Sequence, residues 1–377
     1  MIALLKGMFT DLQNRTDAMV NHLAPQTMDT PGASSFKETT ILELLWLRQK
    51  LRSVLDEGIL DDPFFAPNAS ITYSHLEEEY REIEQYLFQP ISRYNLRAEG
   101  YFEVVIHSIY KEINFSQKPP YVSTMSNSDA YFRAYPKYKI IMLPQGEEKH
   151  LLNLGDLYHE IGHLIYMQYN TFLIGDHLQR MTDHYRDVIQ QHGRRYNALK
   201  IAIQRAKQAW LESWSEELAC DLIATYLVGP AYGWSHLKIC VMSSKHNGLF
   251  SQSNLFRDHP PDEIRMQVIL RMLSLIGCRT EASEMASTWQ DLTTATPNGK
   301  PPYYEELFPS ALLDSIGKNV FDGCCDIALQ SYPQQLKTHT RPVSRIINEA
   351  WDKILNDPDT STQWAMEQIN NILSWIS

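Results

Sequence analysis

Between Leu154 and Met167 the apolar residues Leu154, Leu157, Tyr158, Ile161, Leu164 and Ile165 recur at the spacing of one helical stripe, while Asp156, His159, Glu160, His163 and Met167 fall on or beside the opposite face. The pattern predicts a helix that packs with one side and keeps its polar side for other work. Ala209–Val228 repeats the amphipathic pattern and runs into Gly229-Pro230, which predicts the end of a second helix. Toward the N-terminus, an amphipathic helical pattern extends to about Leu23, and Ala24–Ser35, rich in Pro, Thr, Ser and Gly, reads as a loop. Helices are predicted next over Phe36–Asp56 and Tyr73–Leu87, the latter with Glu77-Glu78-Glu79 on an exposed face. Tyr101–Tyr110 fits helix or strand. Tyr121–Pro144 alternates and is rich in β-branched and aromatic residues, which predicts two or three strands. Beyond Arg279, helical segments alternate with a proline-bearing loop, Thr294–Tyr303, and end in a helix near Trp364–Trp375. The fold class expected is mainly α with a small β-sheet (α+β). The expected organisation is a helical N-terminal region over 1–95, a central domain over 96–280 with an insertion at about 172–199, and a helical C-terminal region over 281–377.

The polar face of the first helix reads His159-Glu160-Ile161-Gly162-His163. Residues four apart on a helix lie one above the other, with Cβ atoms roughly 5–6 Å apart, so two such imidazoles can converge on one ion. Glu160 directly follows the first candidate ligand, where a carboxylate can take a proton from an activated water and pass it to a leaving group. A catalytic zinc usually has three protein ligands and one open position. The second helix offers Glu217 as the third ligand. Asp221, one turn on, is then the candidate to accept a hydrogen bond from the far ring nitrogen of His159 and fix its tautomer. Taken alone, Glu216, Glu217 and Asp221 would read as a solvated helix face, and the preceding His-Glu-x-x-His motif is what changes that reading. Gly162 in a helix interior costs about 1 kcal/mol relative to Ala, which predicts close approach of another segment to the metal helix.

With these elements in order, the chain resembles the gluzincin metallopeptidases, in which a His-Glu-x-x-His helix precedes a helix carrying Glu-x-x-x-Asp, here Glu217-Leu218-Ala219-Cys220-Asp221. Within that clan the CAAX prenyl endopeptidases and heat-shock membrane proteases follow with His-Pro-Pro-x-x-x-Arg, and this chain has His259-Pro260-Pro261-Asp262-Glu263-Ile264-Arg265. The resemblance implies a zincin-like metallopeptidase core and one Zn2+ per chain held by His159, His163 and Glu217, with Glu160 as general base and acid and Asp221 behind the ligands. It also implies that His259 hydrogen-bonds the oxyanion and that Arg265 pairs with a carboxylate near the site. The residues alone allow another role for His259: Asp258 or His259 before Pro260-Pro261 fits a helix cap followed by prolines in the first turn. In zincins an edge strand upstream of the metal helix binds extended peptide, and Thr124–Tyr135 is the candidate segment. The sequence departs from these relatives at Cys220, where they commonly carry alanine, and in lacking their membrane spans. Their specificity for prenylated or membrane substrates is therefore not implied.

Composition narrows the partners. A net charge of −11 and a pI near 5.6 argue against nucleic acid, and the basic stretch Arg194-Arg195, Lys200, Arg205 and Lys207 reads as a solvated helix face. The absence of a run of about 18 apolar residues argues against a membrane span, and Met1–Leu5 is too short for a signal peptide's apolar core. Five cysteines, Cys220, Cys240, Cys278, Cys324 and Cys325, do not form a paired framework, so reduced thiols and a cytoplasmic location are expected, with Cys220 buried. His177, His184 and His192 in the insertion read as surface histidines. The expected function is zinc-dependent hydrolysis of peptide bonds in a protein or peptide substrate by an endopeptidase; a regulatory protein partner that holds it inactive until needed is a further hypothesis on which no residue bears. The alternatives are a regulated or inactive zinc-binding interaction module and a zinc hydrolase of a small non-protein amide.

Overall fold

Helices form wherever apolar residues recur at three- and four-residue spacing. In the computed structural model, which describes residues 2–27, 31–56, 60, 66–88, 98–126, 131–136, 140–144, 146–192, 197–243, 249–250, 259–295, 299–340 and 342–376, four of them precede a small sheet. These are α1 (Ile2–Leu23), α2 (Pro31–Asp56), α3 (Ala66–Glu82) and α4 (Ala98–Glu112). Strands β1 (Tyr121–Ser126), β2 (Arg133–Tyr135) and β3 (Ile140–Pro144) pair in the order β1-β3-β2, with β1 parallel and β2 antiparallel to β3. The helices that follow are α5 (Leu154–Ile174), α6 (His177–His192), α7 (Asn197–Ala209), α8 (Ser215–Val228), α9 (Pro230–Ser243), α10 (Asp262–Leu275), α11 (Arg279–Ala295), α12 (Ser310–Asp326), α13 (Val343–Asn356) and α14 (Pro358–Leu373). The fold is thus mainly α with a small sheet.

Helix α8 sits at the centre: from Ser215 to Val228 every residue except Glu216 is buried, as expected of a helix surrounded on all sides. Helices α5, α9, α10 and α12 pack around it. At the ends of the chain, α13 buries Val343, Ile346, Ile347, Ala350, Trp351 and Ile354 as one stripe, and α1 packs on α2, α13 and α14. A single hydrophobic cluster accordingly runs from Leu4 to Ile372.

Several expectations change. Helix α2 starts at Pro31, inside the stretch read as a loop, because proline is tolerated at a first helical position. Tyr101–Tyr110 belongs to α4, with Tyr101, Phe102, Val105, Ile106, Ile109 and Tyr110 all buried at helical spacing. Glu77 is buried and not on an exposed face. It pairs with Arg15 at 2.7 Å and Arg81 at 3.3 Å, which compensates the burial of its charge. His177 is 0 % exposed, its ring against Trp210, contrary to its reading as a surface histidine. His184 is half-buried and donates from Nε2 to the carbonyl of Glu306 at 3.0 Å. Lys200 and Arg205 are exposed, while Arg194 and Arg195 lie outside the described residues, as does the side chain of His192. Among the described residues no helix is long and apolar enough to cross a membrane.

Candidate active site

The site lies where α5 crosses α8. The crossing is close because Gly162 has no side chain: a Cβ there would meet Cys220 Cα at 3.1 Å and its carbonyl oxygen at 3.2 Å. Cys220 is wholly buried at this contact, and burial pushes its thiol pKa well up. It packs the two helices and stays protonated.

This contact turns the polar face of α5 toward the first turn of α8. A nitrogen of His159, a nitrogen of His163 and a carboxylate oxygen of Glu217 all lie within 4.8 Å of one another. Each imidazole is held from behind. His159 has Nδ1 3.0 Å from Asp221 Oδ1 and Nε2 3.3 Å from Glu217 Oε2. His163 has Nδ1 2.9 Å from Glu216 Oε1 and Nε2 3.7 Å from Glu217 Oε1. Both rings therefore anchor Nδ1 on one carboxylate and turn Nε2 toward another, that of Glu217.

Whether these residues suit a cation follows from the protons. If His159 donates its Nδ1 proton to Asp221, its Nε2 lone pair faces the Glu217 carboxylate, a repulsive arrangement unless a positive charge stands between them. Without such a charge an imidazole relieves the repulsion by holding a second proton. Burial lowers the His159 pKa, but the facing carboxylates of Asp221 and Glu217 outweigh it and lift the ring to about 10. Glu217 is the mirror image: burial pushes it up, His159 pulls it down, and it settles at about 2. Among the described residues its buried Oε2 nevertheless has no hydrogen bond of acceptable geometry. Two nitrogens and one carboxylate around an unsatisfied oxygen fit a divalent cation with a preference for nitrogen and oxygen donors, and zinc is such an ion.

Behind these three side chains, Asp221 is completely buried. Arg265 of α10 donates to it from Nε to Oδ2 at 2.8 Å and from Nη2 to Oδ1 at 2.6 Å. Tyr232 of α9 donates its hydroxyl to Asp221 Oδ1 and lies 3.0 Å from His159 Nδ1. Burial would raise the Asp221 pKa, but Arg265 holds it well below the usual carboxylate range. The carboxylate is fixed, charged and aimed at His159.

The sheet supplies the other wall. Strand β2 packs on α5, and the Ala134 N–H donates to Glu160 Oε2 at 2.5 Å. One turn earlier Tyr131 donates to Asp156 Oδ2 at 3.0 Å, and burial lifts the Asp156 carboxyl to about 6. Of the candidate segment Thr124–Tyr135, it is β2 that lies beside Glu160, at one end of the sheet order.

His259 sits at the rim with its side chain 57 % exposed and Nε2 3.4 Å from Glu217 Oε2. It does not cap α10: Pro261 holds the cap position, and among the described residues no side chain bonds there. Asp258 lies outside the described residues. Three contributors were invisible to motif reading: Glu216 and Tyr232, which hold the histidines, and the backbone of Ala134. Glu216 adjoins Glu217 and its position on α8 was the available signal; nothing in the spacing singled out Tyr232 or Ala134. Comparison with protein-family models, curated proteins and solved structures finds no match to this chain.

Proposed function

We propose that the chain is a zinc-dependent metallopeptidase with a zincin-like core of the gluzincin type, in which His159, His163 and Glu217 hold the metal. The observation that carries this reading is the shared orientation of the two imidazoles, each with Nδ1 on an outer carboxylate and Nε2 toward Glu217. Zinc bound there would lower the pKa of water toward ~7 and polarise a scissile carbonyl. Glu160, next to the first ligand on the same helix, takes the proton of the attacking water and returns it to the leaving nitrogen. Asp221, pinned by Arg265 and Tyr232, keeps His159 in the tautomer that leaves Nε2 free. His259 is the group at the rim able to donate to the carbonyl oxygen as charge develops on it.

A peptide is favoured over a small non-protein amide because β2, a strand with one neighbour among the described residues, runs beside Glu160. An extended chain can add to such an edge through main-chain hydrogen bonds. The test is Glu160→Gln in the full chain, with cleavage of a broad peptide library, zinc content and unfolding measured together. The expected result is about one zinc per chain and an unchanged unfolding curve, with cleavage reduced at least ~100-fold. An active variant would overturn the mechanism. A wild-type chain that holds zinc and cleaves nothing would point to an interaction module, and one that binds no zinc would remove the reading altogether.

A further inference from the structure

A cavity of about 690 Å³ opens between α1, α13, α14 and the stretch 148–152 that leads into α5, and none of its lining belongs to the proposed active site. That volume is within the ~300–1,000 Å³ typical of small-molecule sites. Part of the lining is apolar: Met19 from α1, Ile354 from α13, and Ile369 and Leu373 from α14. The lining also carries polar groups, and several of these are incompletely satisfied.

Lys238 is 4 % exposed and lines the cavity. Its ammonium donates to Asn153 Oδ1 at 2.7 Å, and among the described residues no carboxylate lies within 4.0 Å of it. An ammonium has three donors, and burial lowers the Lys238 pKa even though Glu77 and Asp11, both beyond ion-pair contact, oppose that fall. The neighbouring Arg15 does not relieve it, being a second cation already committed to Glu77 at 2.7 Å. Arg15 is always a donor, so His150 Nδ1 accepts from it at 3.0 Å and the ring's Nε2 faces Glu84 at 3.4 Å. Three further lining residues, Tyr101, Glu148 and Thr362, each bury a side-chain oxygen with no hydrogen-bond partner among the described residues. Burial also raises the Glu148 pKa, which favours its protonated, donating form beside an acceptor.

We propose that this cavity binds a fatty-acid-like amphiphile, with an apolar chain against α1, α13 and α14 and one anionic head paired with Lys238. The chain lies against Met19, Ile354, Ile369 and Leu373, and the head supplies a counter-charge in direct contact with Lys238 and acceptors for it and the orphaned hydroxyls. The site is independent of the metal centre, so it stands or falls separately from the peptidase reading.

The experiment is calorimetric titration of the full chain, zinc-loaded and zinc-free, with dodecanoate, dodecyl phosphate, dodecanol and dodecylammonium, each below its micelle concentration. Expected is saturable one-to-one binding of dodecanoate or dodecyl phosphate, with the tighter of the two identifying the head, and at least about tenfold weaker binding of dodecylammonium. Lys238→Met should weaken the anions about tenfold or more while leaving dodecanol unchanged. Ala365→Trp, which fills the lining from α14, should weaken all of them. If Lys238→Met does not fold, the contrast between dodecanoate and dodecylammonium, together with Ala365→Trp, decides the matter. Non-saturable binding, dodecylammonium as tight as dodecanoate, or affinity untouched by Ala365→Trp would overturn the proposal.

Discussion

Asp221 and Arg265, 44 positions apart, form a two-pronged ion pair at 2.8 and 2.6 Å, and the carboxylate end of that pair is completely buried behind His159. The pair is a foundation for His159. Removing the guanidinium leaves a buried carboxylate without its main counter-charge, a loss of about 3–5 kcal/mol in comparable cases. Arg265→Leu is therefore expected to lower the urea midpoint of the zinc-free chain strongly. Arg265→Lys should recover only part of the loss, because an ammonium cannot make both contacts at once. Equal midpoints for wild type and Arg265→Leu would show that the pair does not support the fold.

The two histidines should differ in how far zinc affinity depends on the carboxylate behind them. Asp221 is fully buried, whereas the Glu216 side chain is 39 % exposed. Asp221→Asn is expected to weaken zinc about 10–100-fold, the usual range for such outer partners. Glu216→Gln should cost less, because water can replace its hydrogen bond to His163. Competition against a chromophoric chelator measures both, and a Glu216→Gln effect larger than that of Asp221→Asn would contradict this ordering.

What the sequence could disclose here was local. His159 and His163 are one turn apart on one helix, and their motif marked them; Glu217 and Asp221, also one turn apart, read as a solvated face until that motif gave them a role. Arg265 and His259 were suggested by a third motif, but their distances to Asp221 and Glu217 depend on how α10 packs on α8. Tyr232 carried no signal, because a tyrosine just past a helix stop is ordinary until α9 folds back beside His159. Glu77 and His177 were misread for the same reason. Polar residues on amphipathic helices look solvated unless a partner from elsewhere is known, and Arg15 lies 62 positions from Glu77. Tyr101–Tyr110 was ambiguous because ten residues hold too few turns to separate a period of 3.6 from alternation.

Two helical glycines provide a paired test of the α5–α8 crossing. At Gly162 an added Cβ would lie 3.1–3.3 Å from the Cys220 backbone and Cβ, so Gly162→Ala forces the helices apart at a cost of about 1–3 kcal/mol. At Gly317 in α12 the nearest atoms, Arg271 Cβ and Leu222 Cδ2, are 4.0 Å away. Gly317→Ala should stabilise by about 0.5–1 kcal/mol through helix propensity. Thermal unfolding of the zinc-free chain should therefore move in opposite directions for the two variants. Gly162→Ala should also weaken zinc, since His159 and His163 move with α5. Shifts of the same sign would remove the close crossing as the reason for glycine at position 162.

His177 ties stability to pH away from the candidate site. It is 0 % exposed, neither ring nitrogen has a hydrogen-bond partner among the described residues, and burial lowers its pKa from 6.5 to about 4. The unfolded chain therefore binds a proton at this residue between pH 6.5 and 4 that the folded chain refuses, so stability rises with pH across that window. The contribution is intact above pH 6.5 and lost as the pH falls toward 4, to a total of roughly 3 kcal/mol for a shift of this size. His177→Phe keeps an aromatic ring against Trp210 and has nothing to protonate. At pH 8 the variant should be about as stable as wild type, because the nitrogens it loses make no hydrogen bonds. Toward pH 4 wild type should lose roughly 3 kcal/mol more than the variant in urea titrations. Other groups titrate identically in both chains, so the difference between the two curves isolates this residue, and parallel curves would mean that His177 is hydrated in the folded protein.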